Sequence, residues 1–376
     1  MNKADDLLPI GLKDRLPADA ARITQAMRAS LDTLESHGYD CVRPPLVEFE
    51  QSLAGRMADG SHGDQSRKMF RFTDPASLRT LALRSDITPQ IGRIASTSMA
   101  SAPRPLRLAY CGETSVISAD QLDPARERLQ LGGELIGADT AAAASEIVTV
   151  AVEALIAAGL TGISVDFTLP DLVDTLSAKA MPLDAGQVDA VRRELDTKDA
   201  GGLKAAGGEA YLPLLYATGP LDEALPKLRN IDANASSGGA LASRIKGLQD
   251  IAAGLSDNIR ITLDPTERHG FEYQSWFGFT LYAEGVRGAV GRGGTYKLAG
   301  TGEAATGFTL YVDRMAGGAR APQKFDTVYL PLGHDRAEAA RLRSGGWRTI
   351  AALTSGEDAA KLGCTHILDG KAPKPL

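Results

Sequence analysis

The stretch 126-RERLQLGGELIG-137 decides the fold of this chain. Its apolar residues predict a strand over Leu129–Ile136, and the alternation of side chains along a strand places Gln130, Gly132 and Glu134 on one face. Gly132 has no side chain and would leave a hollow between the two polar groups. This pattern predicts a polar pocket on the face of a sheet.

The segments around this strand predict an antiparallel sheet flanked by helices. The two prolines Pro44–Pro45 exclude a central strand, so the extended segment Cys41–Glu48 is expected at an edge or an interface. Helical spacing of apolar residues predicts helices over 17–37, 88–96 and 141–158. Loops of moderate length favour antiparallel pairing of the strands, which are expected at 69–72, 79–83, 106–110, 163–169, 259–263, 276–283 and 306–312.

Two further blocks set the domain organisation. Residues 170–255 are polar and helical in pattern, and we expect them to form an insertion rather than part of the sheet. From Phe325 onward, short strands at 327–330, 348–352 and 366–368 alternate with helices at 336–342 and 357–362, which predicts a small α/β piece. The fold class is therefore expected to be α+β, with a core over residues 1–320 and a short α/β domain over residues 321–376.

The composition limits the classes of function. Of 376 residues, 43% are hydrophobic and 23% are charged, which is typical of a globular protein, and the net charge of −6 disfavours nucleic acid as a partner. Cys41, Cys111 and Cys364 are far apart and odd in number, which favours core thiols over a disulfide framework or a zinc site. The N-terminus has no signal-peptide pattern, and no apolar run approaches the ~20 residues that span a bilayer. We therefore expect a cytoplasmic protein without membrane contact.

Six motifs follow one another from about Leu8 to Met315. They are 38-GYDCVRPPLVE-48, 81-LALRSDIT-88, 110-YCG-112 together with the opening stretch, 268-RHGFEY-273, 293-GGTY-296 and 307-GFTLYVDR-314. Their order resembles the catalytic core of histidyl-tRNA synthetase, a class II aminoacyl-tRNA synthetase. Within that superfamily the chain is more similar to a non-catalytic paralogue, the regulatory subunit of ATP phosphoribosyltransferase. The resemblance implies the class II antiparallel sheet and a homodimer interface at the first motif.

Departures from the synthetase pattern concern the handling of ATP. Where the synthetase has an arginine for the α-phosphate, this chain has Val116, and a second arginine is replaced by His269, whose ordinary pKa near 6.5 leaves it mostly neutral. Tyr311 stands in place of a glycine beside the nucleotide. In the synthetase, the transition state of amino-acid adenylation carries extra negative charge on the phosphate, and preorganised cations usually contribute most to stabilising it. We therefore expect no aminoacylation and no catalytic residue in this chain. We also expect no cofactor and no metal.

The residues that recognise the amino acid persist. The α-ammonium of an amino acid needs oxygen acceptors, which Asp86, Gln130 and Glu134 supply. An imidazole needs a polar partner and an aromatic wall, which Glu272 and the tyrosines at 273 and 296 supply. Gln274 stands where the family has a second tyrosine. Each residue also has an ordinary structural explanation: Asp86 could cap the helix at Thr88, for example, and the tyrosines could be core residues. The resemblance implies a histidine-binding site formed by Asp86, Thr88, Arg126, Gln130, Glu134, Glu272, Tyr273 and Tyr296.

The resemblance implies a regulatory subunit that short-form ATP phosphoribosyltransferase needs for activity in the first step of histidine biosynthesis. Histidine is the expected effector, and a homodimer within a hetero-oligomer is the expected assembly. The C-terminal segment is shorter than the anticodon-binding domain of a synthetase and its charges are mixed, so we expect no contact with tRNA. Two alternatives remain open, a divergent histidyl-tRNA synthetase and a free-standing ligase that activates an amino acid. Both require an ATP site.

Overall fold

The computed structural model describes residues 8–54, 69–118, 124–235, 238–268, 274–319 and 325–376. The chain divides into two compact units, residues 1–320 and 321–376. The helices of the first unit are α1 Pro17–Ser36, α2 Glu50–Ala54, α3 Thr88–Ser96, α4 Ala141–Ala157, α5 Leu172–Ser177, α6 Ala185–Asp196, α7 Ala200–Ala205, a 3-10 helix Glu209–Tyr216, α8 Leu221–Asn234, α9 Ala242–Ala253 and α10 Val312–Met315.

Strands of the first unit form a nine-stranded and a three-stranded sheet. They are β1 Asp40–Cys41, β2 Val47–Phe49, β3 Arg71–Thr73, β4 Thr80–Leu83, β5 Leu106–Ser115, β6 Glu127–Ile136, β7 Ser164–Thr168, β8 Gly219–Pro220, β9 Arg260–Leu263, β10 Gln274–Tyr282, β11 Gly291–Lys297 and β12 Ala304–Tyr311. The large sheet has the order β1-β5-β6-β12-β11-β10-β7-β9-β8, and the small one has the order β2-β4-β3.

The centre of the large sheet is antiparallel, as the sequence predicts. All neighbours from β5 to β7 in the sheet order pair antiparallel. Two pairs are parallel, β1 with β5 and β7 with β9. A parallel pair needs a long crossover connection, and the helical block between β7 and β9 supplies one. The sheet is therefore mixed, and the α+β fold class is confirmed.

The helical block is joined to the sheet, which corrects the expectation of a separate insertion over residues 170–255. Its residues Gly219 and Pro220 form β8, which pairs with β9 and ends the sheet. Its last helix, α9, also packs against α4. A two-residue strand has no alternation that a sequence pattern could reveal.

Helices α1 and α4 cover one face of the large sheet. Thr140 caps α4 by accepting a hydrogen bond from the amide of Ala143. The apolar side of α4 is buried in one cluster with Leu131 and Leu135 of β6. Each such large apolar side chain contributes about 1.5–3 kcal/mol through burial. Side chains alternate along β6, so Gln130 and Glu134 lie on the opposite face.

The segment 38–49 lies at sheet edges, as its prolines predict. Gly38 ends α1 at φ +79°, a backbone conformation that favours glycine. β1 is the first strand of the large sheet and β2 the first strand of the small one. The carbonyl of Pro44 accepts a hydrogen bond from Arg84, and that of Pro45 accepts one from Gln90. These contacts fix the diproline against the segment that enters α3.

In its described residues, 325–376, the second unit is a small sheet with one helix. It contains β13 Thr327–Leu330, α11 Arg336–Ser344, β14 Arg348–Ala351, β15 His366–Asp369 and β16 Ala372–Pro375, in the order β14-β13-β15-β16. The helix expected at 357–362 is wrong. The carboxylate of Glu357 accepts hydrogen bonds from the amides of Leu353 and Thr354, and the segment forms turns instead.

Candidate ligand pocket

A cavity of about 310 Å³ opens on the face of the large sheet opposite α1 and α4. Strands β6, β11 and β12 form its floor, and the segment between β4 and α3 forms one wall. The side chains expected to bind a ligand line this cavity together: Asp86, Thr88, Arg126, Gln130, Glu134 and Tyr296. Two further residues expected at the site, Glu272 and Tyr273, lie outside the described residues, as does His269.

Gln130 connects the wall of the cavity to its floor. Its side-chain carbonyl accepts a hydrogen bond from the amide of Ile87 over 3.0 Å. Its side-chain amide donates to Asp86 Oδ1 over 2.6 Å and to Thr309 Oγ1 over 3.0 Å. Gln130 is buried, so these bonds hold the Asp86 carboxylate in place at the side of the cavity.

Asp86 lies both at the start of α3 and at the side of the cavity. Its Oδ1 atom accepts a hydrogen bond from the backbone amide of Thr88 over 3.2 Å at the start of α3. The same side chain is half-buried and lines the cavity. The hydrogen bond from Thr88 therefore holds the Asp86 carboxylate at the side of the cavity, where a ligand would lie.

Glu134 is the most deeply buried acid of the cavity, with 1% of its surface exposed. The hydroxyl of Tyr296 donates to its Oε2 over 2.7 Å, and the hydroxyl of Tyr110 lies 3.5 Å from its Oε1. Burial raises the pKa of Glu134 to about 8, although the hydrogen bond from Tyr296 lowers it. Near pH 7 the carboxyl is therefore mostly protonated and carries little charge.

Gly307 makes room for Glu134. It pairs with Glu134 across β6 and β12, and a Cβ atom at position 307 would lie 1.7 Å from Glu134 Oε2. No such contact is possible, so a side chain at position 307 would displace the carboxyl from the floor.

The space above Gly132 is filled, which corrects the expected hollow. A Cβ atom at position 132 would lie 2.5 Å from the hydroxyl of Tyr110, which is completely buried. That hydroxyl shares a hydrogen bond of 2.8 Å with Thr309 Oγ1. Tyr110 comes from the neighbouring strand β5, so the pattern of β6 alone does not reveal it.

Val116 and Tyr311 both line the cavity, at the positions where the resemblance expects an arginine and a glycine. Two guanidiniums lie close to the ring of Tyr311, with Arg128 Cζ 5.3 Å and Arg314 Cζ 5.2 Å from the ring centroid. Arg314 also donates to the carbonyl of Ala289 over 2.8 Å. The phenol thus fills space that a glycine would leave open.

Three arginines among the described residues line the cavity: Arg126, which the resemblance implies there, and Arg128 and Arg292. The guanidinium of Arg126 donates to the carbonyl oxygens of Val116 and Ile10. Arg128 and Arg292 also face the cavity, and sequence reasoning missed both. The sequence signal for Arg292 is its position directly before Gly293–Gly294.

The described part of the chain shows neither a metal-binding cluster nor a membrane-spanning helix. Within it, no group of three or more histidine, cysteine, aspartate or glutamate side chains could hold a metal ion. No helix among the described residues has the length and apolar character to cross a membrane.

Comparisons with known proteins agree with the motifs. The family model described as histidyl-tRNA synthetase matches residues 11–315. The chain is 38% identical over 375 residues to the "ATP phosphoribosyltransferase regulatory subunit" of Rhodospirillum centenum, which covers 97% of this chain and 95% of that protein. It is 39% identical to the protein of the same name from Paramagnetospirillum magneticum, with 96% of each chain covered.

A solved structure supports the fold. The chain resembles an "ATP phosphoribosyltransferase regulatory subunit/histidyl-tRNA synthetase" from Bacillus halodurans with a TM-score of 0.77, covering 95% of this chain and 96% of that one at 24% identity. At this identity the likeness concerns the fold alone. The family match and the two relatives, each aligned over nearly the whole chain, settle the membership. This chain belongs to the histidyl-tRNA synthetase family and, within it, to the ATP phosphoribosyltransferase regulatory subunits.

Proposed function

We propose that this chain controls a short-form ATP phosphoribosyltransferase in the first step of histidine biosynthesis and reports the level of histidine to it through the cavity. The proposal rests on the polar side chains that line one cavity, which are Asp86, Thr88, Gln130, Glu134 and Tyr296. In the same cavity, Val116 and Tyr311 occupy the positions where the synthetase pattern has an arginine and a glycine beside the nucleotide. The partner, a catalytic ATP phosphoribosyltransferase subunit, is inferred from the names of the relatives.

The cavity suits both ends of a histidine molecule. Asp86 is half-buried and held by Gln130, so its carboxylate suits the α-ammonium, which remains near solvent. Glu134 lies deeper and is mostly uncharged near neutral pH, so it suits an imidazole N–H better than a full charge. Thr88 and Tyr296 complete the polar lining. Glu272 and Tyr273, which the resemblance also places at the ring, belong to the same proposal.

The proposal includes the assembly. A homodimer through 38–48 is consistent with the edge position of β1 and with the half-exposed Leu46. The catalytic subunit joins this dimer in a hetero-oligomer in the cytoplasm, and tRNA is not a partner. The second unit, residues 321–376, is a remnant of the anticodon-binding domain. No chemistry is assigned to this chain.

Reconstitution tests the proposed role. A short-form ATP phosphoribosyltransferase from the same genome is purified alone and mixed with this chain, and the formation of phosphoribosyl-ATP and pyrophosphate from ATP and phosphoribosyl pyrophosphate is measured. We expect activity to rise with added chain to a plateau at a fixed ratio, and histidine to inhibit the complex. Activity that is independent of this chain, with no complex on size-exclusion chromatography, would refute the role.

A further inference from the structure

We propose that Arg292 binds the carboxylate of the amino-acid ligand in this cavity, in place of the arginines that the synthetase pattern has at positions 116 and 269. The inference rests on the proposed function, because it assumes an amino acid as the ligand. Arg292 lies on β11 and would determine specificity for the carboxylate of the ligand.

Arg292 lies beside the acceptors on the floor of the cavity. It pairs with Thr309 across β11 and β12, so the two side chains lie on the same face of the sheet. Thr309 Oγ1 accepts a hydrogen bond from the side-chain amide of Gln130, which also holds Asp86. Neighbouring strands are about 4.8 Å apart, so the long side chain of Arg292 starts close to this group.

A zwitterion needs its acceptor and its cation side by side, because the ammonium and the carboxylate share one carbon atom. Asp86 and Arg292 line the same cavity, and both lie near Tyr311. Burial raises the pKa of the Tyr311 phenol, while the charge of Arg292 lowers it and that of Asp86 raises it. The cavity lining therefore contains both an acidic and a basic side chain, and an α-amino acid needs one of each.

The other two arginines of the cavity are placed for different contacts. The guanidinium of Arg126 donates to two backbone carbonyls, those of Val116 and Ile10, and fixes the segment between β5 and β6. Arg128 lies over the ring of Tyr311. Arg292 is next to Gly293 and Gly294, which also line the cavity. A guanidinium binds a carboxylate through two parallel hydrogen bonds, which gives direction as well as affinity.

A contact between Arg292 and the carboxylate would make the cavity bind histidine more tightly than amines that carry the same ring. Histamine has the imidazole and the ammonium of histidine but no carboxylate. Loss of a charge-assisted hydrogen bond corresponds to about tenfold to hundredfold in Kd. We therefore expect the full chain to bind histidine more tightly than histamine, and we expect this preference to depend on Arg292.

The test measures L-histidine and histamine binding to the full chain by calorimetry, with ligand-observed NMR for millimolar Kd values. The variants are Arg292→Met, Arg292→Lys, Arg128→Met and a control, Arg287→Met, at an exposed position between β10 and β11. We expect Arg292→Met to weaken histidine about tenfold to hundredfold and to change histamine by less than about twofold. Arg292→Lys should recover part of the loss, and the control should match wild type.

Three outcomes would overturn the assignment. The first is an unchanged Kd for histidine in Arg292→Met, and the second is an equal loss of affinity for histidine and histamine in that variant. The third is a selective loss of histidine affinity in Arg128→Met instead, which would show that Arg128 binds the carboxylate. A wild-type chain that binds neither ligand would refute the histidine-sensing proposal itself, which separates the two failures.

Discussion

The hydroxyl of Tyr296 donates a hydrogen bond of 2.7 Å to Glu134 Oε2 at the floor of the cavity. Tyr296 lies on β11 and Glu134 on β6, with β12 between them. Gly307 of β12 carries no side chain and lets the two groups meet over it. Two strands that are not neighbours thus share one buried polar contact, and this contact shapes the deep end of the cavity.

The contact between Tyr296 and Glu134 should be measurable as a coupling. Tyr296→Phe removes the donor from a buried carboxyl and should lower the free energy of unfolding by about 1–3 kcal/mol. In a double-mutant cycle with Glu134→Leu, which removes both acceptor oxygens, the coupling should be about 0.5–3 kcal/mol. Urea unfolding measures it, with Tyr216→Phe as the control because Tyr216 is 70% exposed. Additive effects would show that the two side chains do not interact in solution.

Gly307 should tolerate no side chain. Gly307→Ala places a methyl group against the Glu134 carboxyl, which must leave its position, and overpacking of this kind costs about 1–3 kcal/mol. Histidine binding should fall together with stability. Gly186→Ala is a suitable control, because nothing lies within 4 Å of a Cβ atom at that position on α6. Unchanged histidine binding in Gly307→Ala would mean that the carboxyl is not part of the site.

The buried acid predicts a pH dependence of stability. Burial raises the pKa of Glu134 from 4.5 to about 8, so between these values the folded chain holds a proton that the unfolded chain has released. Stability from this group is complete below pH 4.5 and is lost as the pH rises toward 8, by about 1.4 kcal/mol per pH unit within the window.

A comparison of wild type with Glu134→Gln from about pH 5 to about pH 8 isolates this effect, because glutamine does not titrate. The unfolding free energy of wild type should fall relative to that of the variant as the pH rises. Parallel curves would show that the carboxyl is already ionised in the folded chain at the acidic end of this range.

Adenylation should be absent. Val116 offers no cation at the position that the synthetase uses for the α-phosphate, and Tyr311 fills the neighbouring space close to Arg128 and Arg314. Histidine-dependent exchange of pyrophosphate into ATP should equal the rate without protein, while a histidyl-tRNA synthetase under the same conditions gives a signal. Exchange above the rate without protein would favour a divergent histidyl-tRNA synthetase or a free-standing ligase instead. The arginines of the cavity would then be the first residues to replace, to find which of them contacts ATP.

Sequence patterns predicted the parts of the fold that local periodicity determines. The helix at 88–96 and the strand at 129–136 are present, because their apolar spacing reflects burial on one side. The position of Gln130 and Glu134 on the pocket face followed from the same alternation. The class II motifs supplied Asp86 and Tyr296, whose meeting at one cavity no local pattern indicates.

What the sequence did not reveal depends on contacts between distant segments. Tyr110 fills the space above Gly132 from a neighbouring strand, and Arg292 reaches the cavity from β11. The two-residue strand β8 is too short for any period. The segment 357–362 has helical composition, but Glu357 bonds the amides before it and stabilises a turn.

The central claim is that this cavity senses histidine for the catalytic partner. The most direct measurement titrates histidine against the phosphoribosyltransferase activity of complexes that contain wild type, Glu134→Ala or the exposed control Glu223→Ala. Removing the Glu134 partner should cost on the order of 2 kcal/mol, so half-inhibition should need about thirtyfold more histidine, while uninhibited activity and the control stay unchanged. Identical inhibition curves for all three complexes would contradict the claim and place the sensing site outside this cavity.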